Sequence, residues 1–306
     1  MARRKNQTWL DRIADISIIS LLFNPVTLMI FVSIFATLLW NKYNSRLDLH
    51  VNSMITRDVL HLSDPPEWIK TDISKIAIQE SRLSEIKLSE PSAVELVAAS
   101  LAVQPWVKSV RQVQKTATGI FVDLQYRRPM AFVEIGQQQL VPVDDEGVVL
   151  DPRDFMDNHL VDYWRVYLPE PITNGLATGR RWDDIRVTDS VLIANAWDGT
   201  HVDAGLIHIV NRSQRTRDRV RLSYYELWTR GKSGAATIVI WGNPPGYEVN
   251  GEASATEKIA GIKQFIRDYG PLDAQQNRHY DVRTGKVVES KAKLAADGLD
   301  FINLRY

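Results

Sequence analysis

The hydrophobic positions of this chain form one unbroken run near the N-terminus, followed by short periodic segments. From Ile16 to Asn41 no side chain is ionisable, and fifteen of these residues are Leu, Ile, Phe or Val. Each of the fifteen contributes roughly 0.3 to 0.6 kcal/mol in favour of membrane insertion, so together they favour the bilayer by several kcal/mol. The run predicts one membrane-spanning helix that contacts lipid from Ile16 to Trp40, with residues 1–41 forming a cytoplasmic tail and this helix.

The charges on either side of the run predict its orientation. Cytoplasmic ends of membrane helices collect Lys and Arg. Basic residues precede the run at Arg3, Arg4, Lys5 and Arg12, whereas Lys42 and Arg46 are the nearest ones after it. We therefore expect a single-pass protein of the cytoplasmic (inner) membrane, with its N-terminus inside and the C-terminal region extracytoplasmic, which is the periplasm where one exists.

A cleavable signal peptide is the alternative interpretation of the same run. The apolar region of a signal peptide spans about 7 to 15 residues and ends in small residues. The run in this chain is longer and closes with Leu38-Leu39-Trp40, which favours an uncleaved anchor. Pro25, which follows Asn24, either starts the membrane helix proper or kinks one long tilted helix.

The residues after the run predict a stalk and then a small α+β unit. Residues 42–53 are polar and patternless, as expected of a stalk. Residues 54–128 have the pattern β-α-α-β-β, with a first strand over 54–62, helices over 71–80 and from Ser92, and strands over 107–115 and 120–126. Ser92 and Glu95 have capping-box spacing. The alternation slips between Trp106 and Lys115, which predicts a β-bulge or a shifted register.

Residues 129–288 predict a larger, β-rich α+β domain, and residues 289–306 a charged tail. We expect strands over 131–135, 139–143, 147–150, 206–210, 220–228 and 236–241, with a helix after Thr188. Ser254 and Glu257 form a second capping box, which starts a helix that ends at Gly270. A last strand is expected from His279 to Val288, with a turn near Thr284-Gly285. The predicted fold class is therefore α+β, preceded by one transmembrane helix.

Composition narrows the possible functions. The chain has 37 basic and 37 acidic residues, so it has no net field that would gather nucleic acid, and we expect no nucleic-acid partner. Cysteine is absent, which removes disulfides, thiolate nucleophiles and cysteine metal sites.

The chain shows no motif of known catalytic or cofactor chemistry. A Gly-x-Ser-x-Gly elbow, a phosphate-binding loop and a dinucleotide fingerprint are all missing from the sequence. The six histidines are scattered, and His201 and His208 are the one pair near metal-ligand spacing. Asp144-Asp145-Glu146 is typical of a hairpin turn and lacks the spacing of a calcium loop. We expect no catalytic residues, no metal, no cofactor and no small-molecule substrate.

Two further features each allow a structural and a functional interpretation. Arginines recur at every second position at Arg215, Arg217, Arg219 and Arg221. They either protect an edge strand by charge or form a dock for an acidic partner or an anionic glycan. Trp106 either stacks on a ligand or, as we expect from its place between a helix and a strand, fixes the helix to the sheet as a core side chain.

The order of these features resembles the bacterial cell-division protein family FtsQ/DivIB. The matching motifs are Pro105-Trp106-Val107 after the second helix, Arg127-Arg128-Pro129 at the exit of the small unit, Val143-Asp144-Asp145-Glu146-Gly147, and Tyr280-Asp281-Val282-Arg283. The resemblance implies a POTRA domain at 54–128 and an FtsQ-like β domain at 129–288. It also implies a non-catalytic scaffold of the septal assembly whose partners are other single-pass membrane division proteins.

Relatives of this kind bind a partner strand along the edge of their C-terminal strand, so the resemblance also implies a binding site. Here the candidate edge runs from Tyr280 to Val288, and its candidate contact residues are Tyr280, Asp281, Val282, Arg283, Val287 and Val288. Tyr280 and Val282 are expected on one face, with Asp281 and Arg283 on the other. The alternative is an interior strand that the tail hides.

Two other functional classes stay open at this point. One is a POTRA-bearing component of secretion or envelope assembly, and the other is a membrane-anchored extracytoplasmic enzyme.

Overall fold

The computed structural model of the chain describes residues 25–51, 53–116, 119–135, 139–155, 162–168, 177–215, 221–230 and 236–290. These residues form a mixed α+β structure, as predicted, and within them there are five α-helices and two β-sheets. One sheet has three strands and the other has eight. Each sheet has its own large core cluster.

Helix α1, Pro25–Val51, is long and apolar enough to span a membrane. Its apolar window, Pro25–Lys42, is not buried by any other part of the chain. The predicted lipid-contact residues before Pro25 lie outside the described residues. The helix continues through residues 42–51 of the predicted stalk, to Val51. No Pro or Gly interrupts this segment, so nothing in it stops the helix.

The small unit follows immediately and has the predicted order of elements. Its strands are β1 (Leu60–Leu62), β2 (Val107–Lys115) and β3 (Ile120–Tyr126), and its helices are α2 (Ile73–Glu80) and α3 (Ala93–Ala102). The sheet order is β1-β3-β2, with β1 parallel to β3 and β2 antiparallel to it. The predicted irregularity in β2 is confirmed by two register shifts.

Two local predictions in the small unit are wrong. The first strand is shorter than expected, because Met54 makes only an isolated bridge to Lys87 and the chain turns before Leu60. Ser92 precedes α3, but its side chain makes no capping hydrogen bond. The helix that does carry a side-chain cap is α2, where Asp72 accepts a hydrogen bond from the Lys75 amide at 3.1 Å.

The large sheet contains the remaining strands. They are β4 (Pro129–Ile135), β5 (Gln139–Asp144), β6 (Trp164–Tyr167), β7 (Leu206–Arg215), β8 (Arg221–Thr229), β9 (Ile238–Gly242), β10 (His279–Asp281) and β11 (Val288–Glu289). Their order is β11-β10-β9-β8-β7-β6-β4-β5. The β4–β6, β6–β7 and β9–β10 pairs are parallel, and the others are antiparallel.

Two helices cover one face of the large sheet. Helix α4 (Ile185–Trp197) connects β6 to β7, and helix α5 (Ala255–Tyr269) connects β9 to β10. Such crossovers are what parallel neighbouring strands require. The predicted capping box at Ser254 and Glu257 is present at the start of α5. The helices and strands bury one continuous apolar cluster, which includes Val166, Ile209 and Ile262.

Trp106 lies at the junction of the small unit and the large sheet. It is buried, and its indole N–H donates to the Asp154 carboxylate, which comes from the chain after β5. The same carboxylate accepts from the amide of Thr71 at 2.7 Å. The Trp106 ring also lies 5.6 Å from the Phe155 ring. Trp106 is therefore a core side chain, as expected. It joins the two units to each other, as well as the helix to the sheet within the small unit.

One strand prediction in the large sheet is wrong, and one strand was missed. Residues 147–150 form isolated bridges at Val148 and Val149, because the turn at Gly147 leaves too little chain for a full strand. Strand β6 was not predicted, because a run of four residues, Trp164–Tyr167, is too short to show a period.

Candidate partner-binding edge of the large sheet

Strand β10, the first strand of the candidate site, is interior, and the prediction of one continuous edge from Tyr280 to Val288 is wrong. Strand β10 is paired on both sides, with β9 and with β11. The chain turns sharply between the two last strands because the Asp281 carboxylate accepts the Arg283 amide at 3.0 Å and Gly285 has a φ of +78°. Among the described residues, the edge of the sheet is therefore β11.

The faces of this hairpin are as predicted. Tyr280 and Val282 are buried against the sheet's core, where the Tyr280 ring lies 4.9 Å from that of Phe265 on α5. Asp281 and Arg283 lie on the other face and form an ion pair of 2.6 Å. Burial raises the pKa of Asp281, but the hydrogen bonds and charge of Arg283 outweigh it and lower the pKa overall.

Val282 has a structural role that makes it unsuitable as a contact residue. It is fully buried, and its amide donates to the Ile240 carbonyl at 3.2 Å. Proline at this position would remove a hydrogen bond inside the sheet, so it would not test partner binding alone. Val287 packs partly against the core, whereas Val288 is 56% exposed.

The hydrogen-bond pattern shows which main-chain groups of β11 point away from the sheet. The Ser290 amide donates inward to the His279 carbonyl at 2.7 Å. In an antiparallel pair the inward and outward main-chain groups alternate along the strand. Glu289, which is opposite Tyr280, therefore has its N–H and C=O directed outward. Its side chain forms an ion pair with Arg278.

A loop that is held by hydrogen bonds and an ion pair, residues 243–253, lies beside the hairpin. Its centre is the buried Glu252 carboxylate, which accepts from Lys258 Nζ at 2.6 Å and from the amides of Asn243 and Val249 at 2.8 and 3.2 Å. Burial raises the pKa of Glu252, but Lys258 and the other donors lower it overall. The ammonium of Lys258 also lies 4.9 Å from the Trp241 ring.

The loop holds two exposed apolar side chains at the same end of the sheet as the hairpin turn. Tyr247 and Val249 are 63% and 61% exposed. The loop is tied to the turn because the Ala253 amide donates to the Arg283 carbonyl at 2.7 Å. Two glycines allow the loop, the turn and α5 to lie close together. A Cβ at Gly242 would meet Glu252 Oε1 at 2.1 Å, and a Cβ at Gly261 would meet the Gly285 carbonyl oxygen at 2.1 Å. These contacts place the loop, the turn and β11 in one connected surface.

The opposite edge of the sheet, β5, is covered by further chain. Asp144 is fully buried, and its carboxylate accepts from the amides of Glu146 and Val148 at 2.9 and 2.7 Å and pairs with Arg127. Gly147 has a φ of +77°. The predicted interpretation of this segment as a hairpin turn is confirmed. In the motif at the unit boundary, Arg128 is exposed and Pro129 begins β4.

The four arginines of the predicted anionic dock are placed only in part. Arg215 ends β7 and Arg221 begins β8, and the register sets them opposite each other. Arg217 and Arg219 lie outside the described residues.

The two spaced histidines do not form a metal site. His201 stacks on Trp164 with ring centroids 4.3 Å apart, whereas His208 contacts Tyr167. Trp164 and Tyr167 are three positions apart on one strand, so the two histidines lie on opposite faces of the sheet. Within the described ranges no group of three or more potential metal ligands occurs.

Burial lowers the pKa of His201 to about 4 and that of His208 to about 3, and neither ring nitrogen of either histidine has a hydrogen-bond partner among the described residues. Both rings are therefore neutral core side chains at pH 7.

No protein-family model matches the chain, and no curated protein sequence matches it.

Proposed function

We propose that this protein is a non-catalytic, single-pass membrane scaffold of the bacterial septal assembly, similar to FtsQ/DivIB. In this proposal α1 crosses the cytoplasmic membrane with its N-terminus inside. Residues 54–128 are a POTRA-like domain, and the large sheet is the β domain. The partners are other single-pass division proteins.

The observation that carries the proposal is the outer side of β11, with which no further strand pairs among the residues that the structure describes. A strand whose N–H and C=O point outward can pair with a partner strand, because main-chain hydrogen bonds supply affinity and alternating side chains supply register. The outward groups of Glu289 provide such a site. Tyr247 and Val249, held out by the buried Lys258–Glu252 pair, provide an apolar contact beside it.

The membrane helix gives the scaffold a fixed position near the bilayer. Only residue 52 separates the end of α1 from Ser53, whose carbonyl accepts the Leu88 amide at 2.9 Å. The small unit is therefore attached to the helix without a long linker. This arrangement suits a protein whose partners are anchored in the same membrane.

A matched pair of variants at one position tests the edge. In full-length protein, Glu289→Ala removes the ion pair with Arg278 but keeps the outward amide, whereas Glu289→Pro removes both. We expect single-pass division proteins to co-purify with wild type and Glu289→Ala but not with Glu289→Pro. Equal capture by all three would contradict strand addition at β11.

Imaging tests the cellular role separately. A fluorescent fusion of the full-length protein should accumulate at midcell during septation. An even distribution along the membrane would reject the division role and favour secretion or an anchored enzyme.

A further inference from the structure

The link between the small unit and the large sheet consists of two residues. Strand β3 ends at Tyr126 and β4 begins at Pro129. Beside this link, the amide of Arg127 donates to the Trp106 carbonyl at 2.8 Å. A short link keeps two units together, but by itself it does not fix the angle between them. A fixed angle requires further contacts across the junction.

Apolar contacts across the junction hold the two units against each other. Leu150 follows β5 of the large sheet in the chain, yet it is fully buried in the core cluster of the small unit. The Phe155 ring lies 5.6 Å from that of Trp106 and 5.2 Å from that of Phe132 on β4. Contacts of this kind are weakly directional, because their strength depends on the apolar area removed from water. They can therefore hold the units together over a range of angles.

The Asp154 carboxylate adds a directional contact. It is 3% exposed, and both of its oxygens accept hydrogen bonds from the small unit. Oδ1 accepts from the amides of Lys70 and Thr71 at 3.1 and 2.7 Å. Oδ2 accepts from the Thr71 hydroxyl at 2.8 Å and from the Trp106 indole. We call these four residues the Asp154 clamp. The clamp brings the chain directly before α2 into the junction.

The chemistry of the clamp favours a role in orientation over a role in stability alone. Removing a carboxylate from water is unfavourable unless its oxygens are fully hydrogen-bonded. The donors of the clamp are uncharged amide, hydroxyl and indole groups. Apolar groups of the same shape can be equally stable in place of such a set. Hydrogen bonds, however, weaken steeply when the donor turns away from the acceptor. Donors that converge on two oxygens are therefore satisfied together in one relative orientation of the units.

We propose that the Asp154 clamp fixes the angle between the small unit and the large sheet, whereas the apolar contacts around Phe155 supply the adhesion. The small unit follows α1 after residue 52, so the clamp also sets how the large sheet is held relative to the predicted membrane anchor. This conformational device does not depend on the division role.

Pulsed electron paramagnetic resonance tests the angle, because it gives the distribution of distances between two spin labels. The chain has no cysteine, so Ala99→Cys on α3 and Lys263→Cys on α5 provide two unique labelling sites, and both positions are exposed. In the full-length protein in lipid nanodiscs we expect one narrow distribution between these labels. A broad distribution in this parent protein would show that the angle is not fixed, and would overturn the proposal.

Asp154→Asn is the decisive variant. Asparagine keeps the size of the side chain but replaces one acceptor oxygen by an NH₂ donor, which cannot accept from Trp106 or Thr71. We expect the distance distribution to become about twofold wider, because the directional contact is lost. Asp151→Asn is the matched control, since the Asp151 carboxylate bonds to Arg153 in its own segment. Its distribution should equal that of the parent protein.

Two further measurements separate the angle from general loosening. Ala99→Cys with Gln114→Cys places both labels in the small unit, and this distribution should not respond to Asp154→Asn. Phe155→Leu removes the ring contacts but keeps the carboxylate, so it should lower the melting temperature and leave the distribution between the units unchanged. Broadening by Phe155→Leu that equals the effect of Asp154→Asn would overturn the proposal. Equal broadening in the Asp151→Asn control or within the small unit would also overturn it, as would an unchanged distribution in folded Asp154→Asn.

A second variant covers the case in which Asp154→Asn does not fold. Thr71→Val has nearly the same shape as threonine but lacks the hydroxyl donor. It should broaden the distribution between the units by less than the expected effect of Asp154→Asn, because the Thr71 amide still donates to the carboxylate. An unchanged distribution in this variant would then overturn the proposal.

Discussion

The two edges of the large sheet differ in whether further residues of the chain hydrogen-bond to their main-chain groups. At the β5 edge the Leu150 amide donates back to the Pro142 carbonyl at 2.9 Å, and Val148 bridges to Arg181. At the other edge the sheet ends in the two residues of β11, and among the described residues no further strand pairs with them. We call the β5 edge, which pairs with further residues of the same chain, the closed edge. We call the β11 edge the open edge.

The charged side chains at the two edges differ in the same way. At the closed edge they connect the large sheet to the small unit, through Arg127 to Asp144 and Lys108 to Asp145. At the open edge they stay within the hairpin, as in Asp281 with Arg283. Buried polar contacts therefore lie at the edge where the two units meet. The other edge is the short strand β11, to which we propose that a partner strand adds.

The largest effect is expected at the junction, on the side of the closed edge. Trp106→Ala removes a buried indole that contacts both units, which should lower the free energy of unfolding by about 3 to 5 kcal/mol. It also removes one donor from the buried Asp154 carboxylate. Thermal or denaturant unfolding of the full-length protein in detergent measures this loss.

Trp106→Phe is the matched control for the junction. It keeps an aromatic ring beside Phe155 but removes the N–H donor, so a smaller loss is expected. Unchanged unfolding of Trp106→Ala would show that the indole does not hold the two units together.

The second largest effect on stability is expected at the Lys258–Glu252 ion pair, which holds the loop beside the open edge. Lys258→Met leaves the Glu252 carboxylate buried without its ammonium partner, which should cost roughly 3 kcal/mol. The double variant Lys258→Met with Glu252→Gln should recover part of the loss, because no unpaired charge remains buried. If the single variant is as stable as wild type, the pair does not support the loop.

A fall in pH should lower the free energy of unfolding, because His201 and His208 are buried in the neutral form between the two edges. The folded pKa values of His201 and His208, about 4 and about 3, lie below the ordinary value of 6.5. A depressed histidine pKa means that the unfolded state binds more protons, so stability falls as the pH drops below about 6.5. By pH 5 each histidine should cost about 2 kcal/mol.

The pH dependence is measured by unfolding at pH 7.5 and pH 5, with His201→Gln and His208→Gln as comparisons. Each variant should show a shallower loss of stability between the two pH values than wild type. Identical slopes would mean that the histidines are not buried in the neutral form.

The smallest effect is expected at the open edge itself. Glu289→Ala removes only the solvent-exposed ion pair with Arg278, whose side chains are 55% and 54% exposed. Such pairs contribute little to folding, so the melting temperature should not change measurably. A clear decrease would show that β11 is a structural strand, and would remove the contrast between the edges.

The sequence predicts those parts of the fold in which local chemistry and periodicity agree. The apolar run from Pro25 onward, the capping box at Ser254 and Glu257, and the alternation in β3 each appear in the structure as predicted. The irregular register of β2 was also visible, because Val110 and Val113 are three positions apart. In each case the decisive contacts are within a few residues along the chain.

The sequence fails where the decisive contacts are distant along the chain. The indole of Trp106 and the carboxylate of Asp154 are 48 residues apart, so the junction role of Trp106 has no local pattern. The predicted turn near Thr284-Gly285 is present, but no local pattern shows that β10 pairs with both β9 and β11 and therefore lies inside the sheet. The turn itself could have placed the edge later in the chain, because a turn at Gly285 divides the segment into two strands.

Site-specific photo-crosslinking tests the central claim most directly. A photoreactive amino acid is placed at Glu289 on the open edge or at the exposed Gln139 on the closed edge of the full-length protein in its native membrane. The account predicts a discrete crosslink to a single-pass membrane protein from position 289 and none from position 139. Crosslinks from position 139 alone, or equal crosslinks from both, would contradict it.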